Sequence, residues 1–127
     1  MKRHPLLCSL FLSASLLSAA SAQAADAPAA ATTACIQLGS DQQMVRAGVT
    51  RDVLLRNGQD HYVVHFQRDC TAAARSRTLS FATEGQQNLL CSDGRSTLRT
   101  DTERCAVARV EHIDPASFAR KARQRRR

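Results

Sequence analysis

Arg51–Cys70, RDVLLRNGQDHYVVHFQRDC, decides the fold. Two runs of alternating apolar and polar residues flank Asn57-Gly58, a pair suited to a type I′ turn because both of its central residues need positive φ. A two-residue loop at that point sets Leu55 opposite Asp60, Val53 opposite Tyr62, Arg51 opposite Val64 and Val49 opposite Phe66. Side chains alternate along a strand, so these residues share one face, apolar except for Arg51 and Asp60. Thr50/His65, Asp52/Val63, Leu54/His61 and Arg56/Gln59 form the second, mostly polar face. A one-residue slip would mix the two sets, which fixes the facing. The stretch therefore predicts a β-hairpin with one core face and Cys70 at its exit.

Working outward, Cys35–Leu38 (CIQL) predicts a short first strand. Gly39–Gly48 is open between loop and short helix, with Met44 and Val45 reaching the core from it. After the hairpin, Thr71–Arg77 (TAAARSR) is alanine-rich and predicts one or two helical turns, capped by Asp69 or Thr71. Thr78–Thr83 (TLSFAT) alternates and puts Leu79 and Phe81 on one face. A second two-residue turn at Asp93-Gly94 would pair Leu89 with Leu98 and Cys91 with Ser96. Cys105–Ile113 (CAVARVEHI) predicts the last strand. Five to six short strands separated by polar turns imply a mainly β fold. We expect a small antiparallel barrel or sandwich with one short helix, and Tyr62, Phe66 and Phe81 as its large core rings.

The chain ends differ in character from this body. Lys2, Arg3 and His4, an apolar run over Leu6–Ala20 and the small-residue site Ala22-Gln23-Ala24 predict an export signal over residues 1–24. Residues 25–34 (ADAPAAATTA) lack an apolar anchor and read as a flexible leader. A single β-rich domain is expected over 35–114, followed by a basic, disordered tail over 115–127 in which like charges crowd ARKARQRRR. The formal charge of +7 follows this division. Two cations lie in the signal and six in the tail, leaving ten basic and eleven acidic side chains elsewhere. The body thus offers no broadly basic face for nucleic acid, and no specific nucleic-acid partner is expected.

Without Cys8 of the signal, Cys35, Cys70, Cys91 and Cys105 remain. An even count in a small exported chain predicts two disulfides, whereas zinc would call for closely spaced cysteine pairs, which this spacing lacks. Of the three connectivities, Cys35–Cys105 with Cys70–Cys91 is favoured, because it would tie the chain ends and lock the hairpin exit to the next strand. Each bridge is worth about 2–4 kcal/mol.

Catalytic motifs are sparse. His61 and His65 are four apart, which would join two metal ligands on a helix. On a strand it separates their Cα atoms by about 13 Å, and both read as solvent-facing, as does His112. With every cysteine available for pairing, a thiolate nucleophile is not expected. The sequence after the signal has no G-x-S-x-G, S-x-x-K, H-E-x-x-H or glycine-rich phosphate loop. No catalytic residue, cofactor or metal is expected, and the chain reads as a monomer. The partner-binding feature is the tail, where Arg120, Lys121, Arg123, Arg125, Arg126 and Arg127 can pair with polyanions and release counterions. Outside the cytoplasm those polyanions are anionic lipid and envelope polysaccharide.

Cys35-Ile36, the aromatic strand Tyr62–Phe66, Asp69-Cys70, the L-x-F strand with Leu79 and Phe81, Leu90-Cys91 and Arg104-Cys105 occur in that order. Over Cys35–Ile113 this arrangement resembles a family of small exported proteins of Gram-negative bacteria classed as a domain of unknown function. Met44-Val45 stand where that family carries a tryptophan. The resemblance implies a periplasmic or secreted protein and assigns no activity. The expected function is a non-enzymatic binding or structural module of the cell envelope. The alternative is an inhibitor of a cell-wall hydrolase or other extracytoplasmic enzyme, acting through Gly39–Gly48 or Asp101–Arg104.

Overall fold

The computed structural model describes residues 35–127. The expected signal (1–24) and leader (25–34) lie outside the described residues. The fold is mainly β, a curled antiparallel half-barrel with a small second sheet and two disulfides. In chain order the strands are β1 (Ile36–Gln37), β2 (Gln43–Val45), β3 (Asp52–Asn57), β4 (Asp60–Phe66), β5 (Ser80–Thr83), β6 (Gln86–Gln87), β7 (Leu89–Leu90), β8 (Ser96–Arg99) and β9 (Arg104–Ile113), followed by helix α1 (Pro115–Arg125). Several of these strands are only two to four residues long, which is why the described residues hold more strands than sequence pattern resolves.

The hairpin β3–β4 takes the second and third places of the curled sheet, ordered β2-β3-β4-β9-β8-β5-β6. Its facing is as expected, but its register is offset by two residues: Leu55 pairs with Tyr62, Val53 with Val64 and Asn57 with Asp60. The turn is therefore Gly58-Gln59, not Asn57-Gly58. Positive φ is confined to its first central position (Gly58, +61°), as in a type II′ turn. Asn57 stays in the strand because its side chain is engaged elsewhere. Its Oδ1 accepts from the Gly39 N–H at 2.9 Å and its Nδ2 donates to the Gln37 carbonyl at 3.1 Å. An offset of two preserves side-chain alternation, so the core set is unchanged.

Val53, Leu55, Tyr62, Val64 and Phe66 from the hairpin meet Phe81, Leu90, Leu98, Val107 and Val110 inside the half-barrel. Ten-residue β9 joins the two halves. Its first residues pair with β8 and the remainder with β4. Opposite His65–Phe66 the register skips Ala108. That bulge inverts the alternation and lets Val107 and Val110 both face the core.

The second turn departs from expectation. Leu98 pairs with Phe81 of β5, and Leu89 pairs with Gln37 of β1. Cys91 and Ser96 do meet, through the buried Ser96 hydroxyl, which accepts from the Cys91 N–H at 2.7 Å. The Thr71–Ala74 segment is a single 3₁₀ turn with no side-chain cap from Asp69 or Thr71.

These pairings also correct the disulfides, which are Cys35–Cys91 and Cys70–Cys105. Ile36 sits opposite Leu90, so the next position in register brings Cys35 opposite Cys91, with Cα atoms 4.1 Å apart. The exit of β4 runs beside β9, where Gln67 N–H bonds to the Ala106 carbonyl at 2.9 Å, and this sets Cys70 against Cys105. The favoured pairing assumed that the hairpin exit lies next to the following strand, whereas β4 pairs with the last one. Two intramolecular disulfides point to an oxidising, extracytoplasmic environment.

Candidate functional site

The segment expected to be a disordered tail is helix α1, packed on the second face of the sheet. Its start is well specified. Asp114 is the N-cap and accepts from the Ser117 N–H and Ser117 hydroxyl, both at 2.8 Å, and Pro115 occupies the first turn. These bonds lower the Asp114 pKa, the backbone N–H of Ser117 contributing most. Alanines fill much of the interior, and Arg123 and Arg125 fall in the last turn, where the helix dipole favours cations. Crowding of like charge at the helix end is thus partly offset by its position.

Phe118, Ala122 and Arg125 recur at i, i+4 and i+7 and form the docking stripe. Phe118 and Ala122 pack with Leu54, Val63, Ile113 and Val45 in a second apolar cluster. The Phe118 ring lies 4.7 Å from that of His61, centroid to centroid. Arg125 pairs with the Asp52 carboxylate and donates from Nη1 to the Asp52 carbonyl at 3.2 Å. The second face of the hairpin is therefore covered by a helix, and His61 is not the solvent-facing residue expected. His65 is also engaged, its Nε2 lying 2.9 Å from Glu111 Oε2. The Glu111 pKa is lowered, chiefly by that hydrogen bond. His112 is exposed beside Asp60 (3.5 Å) and edge-on to Tyr62.

Of the cations assigned to polyanion binding, Arg125 belongs to the fold: its side chain is 16% exposed and neutralised by Asp52. Arg120, Lys121, Arg123, Arg126 and Arg127 are exposed. Arg120, Arg123, Gln124 and Arg127, at i, i+3, i+4 and i+7, line one shallow depression on the outer helix face. The fold thus gathers three of the six predicted cations, Arg120, Arg123 and Arg127, on one outer face, leaves Lys121 and Arg126 exposed beside it and turns Arg125 inward. Sequence reasoning missed the docking stripe. Its signal was present in the Asp114-Pro115 start and the Phe118/Ala122 spacing, but both were outweighed by the charge run.

The two loops considered for enzyme inhibition are structurally committed in part. Gly39–Gly48 contains β2. Asp101 accepts from the N–H groups of Arg77 (2.7 Å) and Thr78 (3.2 Å) and from the Thr78 hydroxyl (2.8 Å), which lowers its pKa, the Arg77 bond contributing most. The sulfurs of Cys70 and Cys105 lie near the Glu103 carboxylate, but both are bonded to each other and offer no thiolate. No protein-family model matches the chain, and neither the curated proteins nor the solved structures contain a significant match to it.

Proposed function

We propose that this protein is a non-enzymatic binding module of the cell envelope, periplasmic or secreted, that engages anionic lipid or polysaccharide through the outer face of α1. The observation that carries the reading is the docked helix. Phe118, Ala122 and the Arg125–Asp52 pair fix α1 to the sheet, while Arg120, Lys121, Arg123, Arg126 and Arg127 remain exposed. A docked array meets a polyanion with less ordering cost than a flexible tail would. Arginine suits phosphate and carboxylate groups because its guanidinium can pair with two oxygens at once.

The test compares the oxidised protein with a variant carrying Arg120→Gln, Lys121→Gln, Arg123→Gln and Arg127→Gln. Binding is measured to phosphatidylglycerol vesicles, phosphatidylcholine vesicles and a soluble anionic polysaccharide, each at low and physiological salt. Binding to at least one polyanion should weaken with salt and fall roughly a hundredfold or more in the variant, since each cation contributes about 1 kcal/mol near an anionic surface. Equal binding by the two proteins to every polyanion would refute the proposal.

A further inference from the structure

Beside α1, a groove of about 310 Å³ separates the helix from the sheet edge at β2. Its apolar lining is Met44 and Val45 from the edge strand, Ala47 just after it, and Phe118 and Ala122 from the helix. Three arginines also line it: Arg46 after β2, Arg56 on β3 and Arg126 at the helix end. No carboxylate lies among these lining residues.

The charge balance on this face is distinctive. Its carboxylates already have partners, Asp52 in Arg125 and Glu111 in His65. Arg46 donates through Nε to the Ala73 carbonyl at 3.2 Å, a neutral acceptor. Arg56 is half-buried, and its Nε is shielded from solvent with no hydrogen-bond partner among the described residues. An Nε–H shielded from water without an acceptor is costly, and an anion in the groove that accepts from Arg56 offsets that cost. The apolar lining constrains what else that anion carries. A polysaccharide would bring hydroxyls against Met44, Val45 and Phe118, and a free phosphate would leave those side chains uncovered. A phosphate attached to a lipid satisfies both parts of the groove.

We propose that this groove binds an anionic phospholipid, with its phosphate among Arg46, Arg56 and Arg126 and the adjoining carbons against Met44, Val45, Phe118 and Ala122. The inference rests on the reading of α1 as a polyanion-binding element and narrows it to a lipid held one molecule at a time. The outer helix face attracts the membrane surface, and the groove takes one headgroup from it.

Dihexanoyl phosphatidylglycerol, kept below its micelle concentration, is titrated into the isotope-labelled oxidised protein and followed by backbone amide shifts and calorimetry. Saturable one-site binding is expected, with shifts at Met44, Arg56 and Ala122. Arg56→Gln should weaken it about tenfold or more, the loss of one charge-assisted hydrogen bond. Arg126→Gln, at an exposed helix end, provides a second variant should Arg56→Gln fail to fold. The Arg120/Lys121/Arg123/Arg127→Gln protein should bind the monomeric lipid within about twofold of wild type, since none of these four residues lines the groove. Unchanged affinity in a folded Arg56→Gln protein and in Arg126→Gln overturns the proposal. So does equal binding of dihexanoyl phosphatidylcholine, or inorganic phosphate that binds at the groove as tightly as the lipid. Vesicle binding that depends on the outer face without any monomer binding would leave the polyanion reading standing and remove this one. Absence of both would remove the two together.

Discussion

Replacing Phe118 by alanine should release α1 from the sheet while the half-barrel stays folded. A fully buried phenylalanine loses about 3–5 kcal/mol on truncation to alanine. Phe118 is half-buried and sits at the margin of the second cluster, with Leu54, Val63 and Ile113 beneath it. About half that figure, ~2 kcal/mol, is therefore appropriate. The loss falls on the docking equilibrium because α1 has little stability of its own. It is 11 residues long, below the length of roughly 12–15 at which isolated helices become even marginally stable in water. Detachment and melting are then one event, and ~2 kcal/mol raises the detached population about thirtyfold. Native-state amide exchange reads this directly. Amides of Phe118–Arg125 should exchange about thirtyfold faster in Phe118→Ala, while those of Val64, Phe81 and Leu98 keep their wild-type rates. Phe118→Leu should restore most of the protection. Equal acceleration throughout the sheet would show that helix and sheet open as one unit, and an unprotected α1 in the wild-type protein would show that it does not dock at all. Either result refutes the reasoning.

Three further outcomes follow from the same contacts. Removing the Cys70–Cys105 bridge by paired alanine substitution opens a loop with a sequence separation of 35 and should cost about 3–4 kcal/mol in urea unfolding; an unchanged midpoint, or non-reducing peptide maps that recover Cys35–Cys105, would contradict the fold described here. Ser96→Ala removes the acceptor of the Cys91 N–H and the partner of the Thr83 hydroxyl at 2.6 Å, so thermal unfolding should report a loss of about 1–3 kcal/mol. A neutral result would mean that the buried groups find other partners. Acid should loosen the α1 side of the molecule: the depressed Glu111 pKa contributes stability that is fully present above its ordinary value near 4.5 and is lost as pH falls through the lower folded value. The depressed Asp114 pKa acts in the same direction at the helix cap. Glu111→Gln should therefore flatten the acid limb of a stability–pH profile, and an unaltered limb counts against the His65–Glu111 contact.

What the sequence makes legible here is set by the range of the interaction concerned. The two faces of the hairpin, the identity of its core residues, the last strand at Cys105–Ile113 and the Leu79/Phe81 alternation all follow from neighbours one or two positions apart. Where the outcome depends on a distant partner, local chemistry selects a reasonable alternative. Asn57-Gly58 is a good turn pair, yet Asn57 is drawn into the strand by Gly39 and Gln37. The chain does bend at Asp93-Gly94, yet Leu98 finds Phe81 and Leu89 finds β1. The disulfide pairing fails for the same reason, because it depends on whether β4 lies beside β7 or β9. That choice rests on core packing between segments some forty residues apart, and no nearest-neighbour pattern records it.

The helix carries the most consequence for the candidate site. A run such as ARKARQRRR has no hydrophobic drive to fold when considered alone, and self-repulsion favours disorder. Three inward positions reverse the balance: Phe118 and Ala122 bury apolar surface, and Arg125 meets Asp52 on a half-buried face. The remaining arginines are carried along by backbone geometry and emerge in rows set by the helical repeat, with Arg120, Arg123 and Arg127 together on the outer face and Arg126 turned toward β2. Order and charge are thus separable in this segment. Substituting Arg125 disturbs the docking of the whole array, whereas substituting Arg120 or Arg127 removes one charge from an array that stays in place. A flexible polycation makes no such distinction, since each of its arginines contributes nearly alike. If α1 acts as proposed, polyanion affinity depends on position as well as on the number of charges, and moving an arginine from 127 to 122, a buried position of the docking stripe, is not equivalent to leaving it where it is.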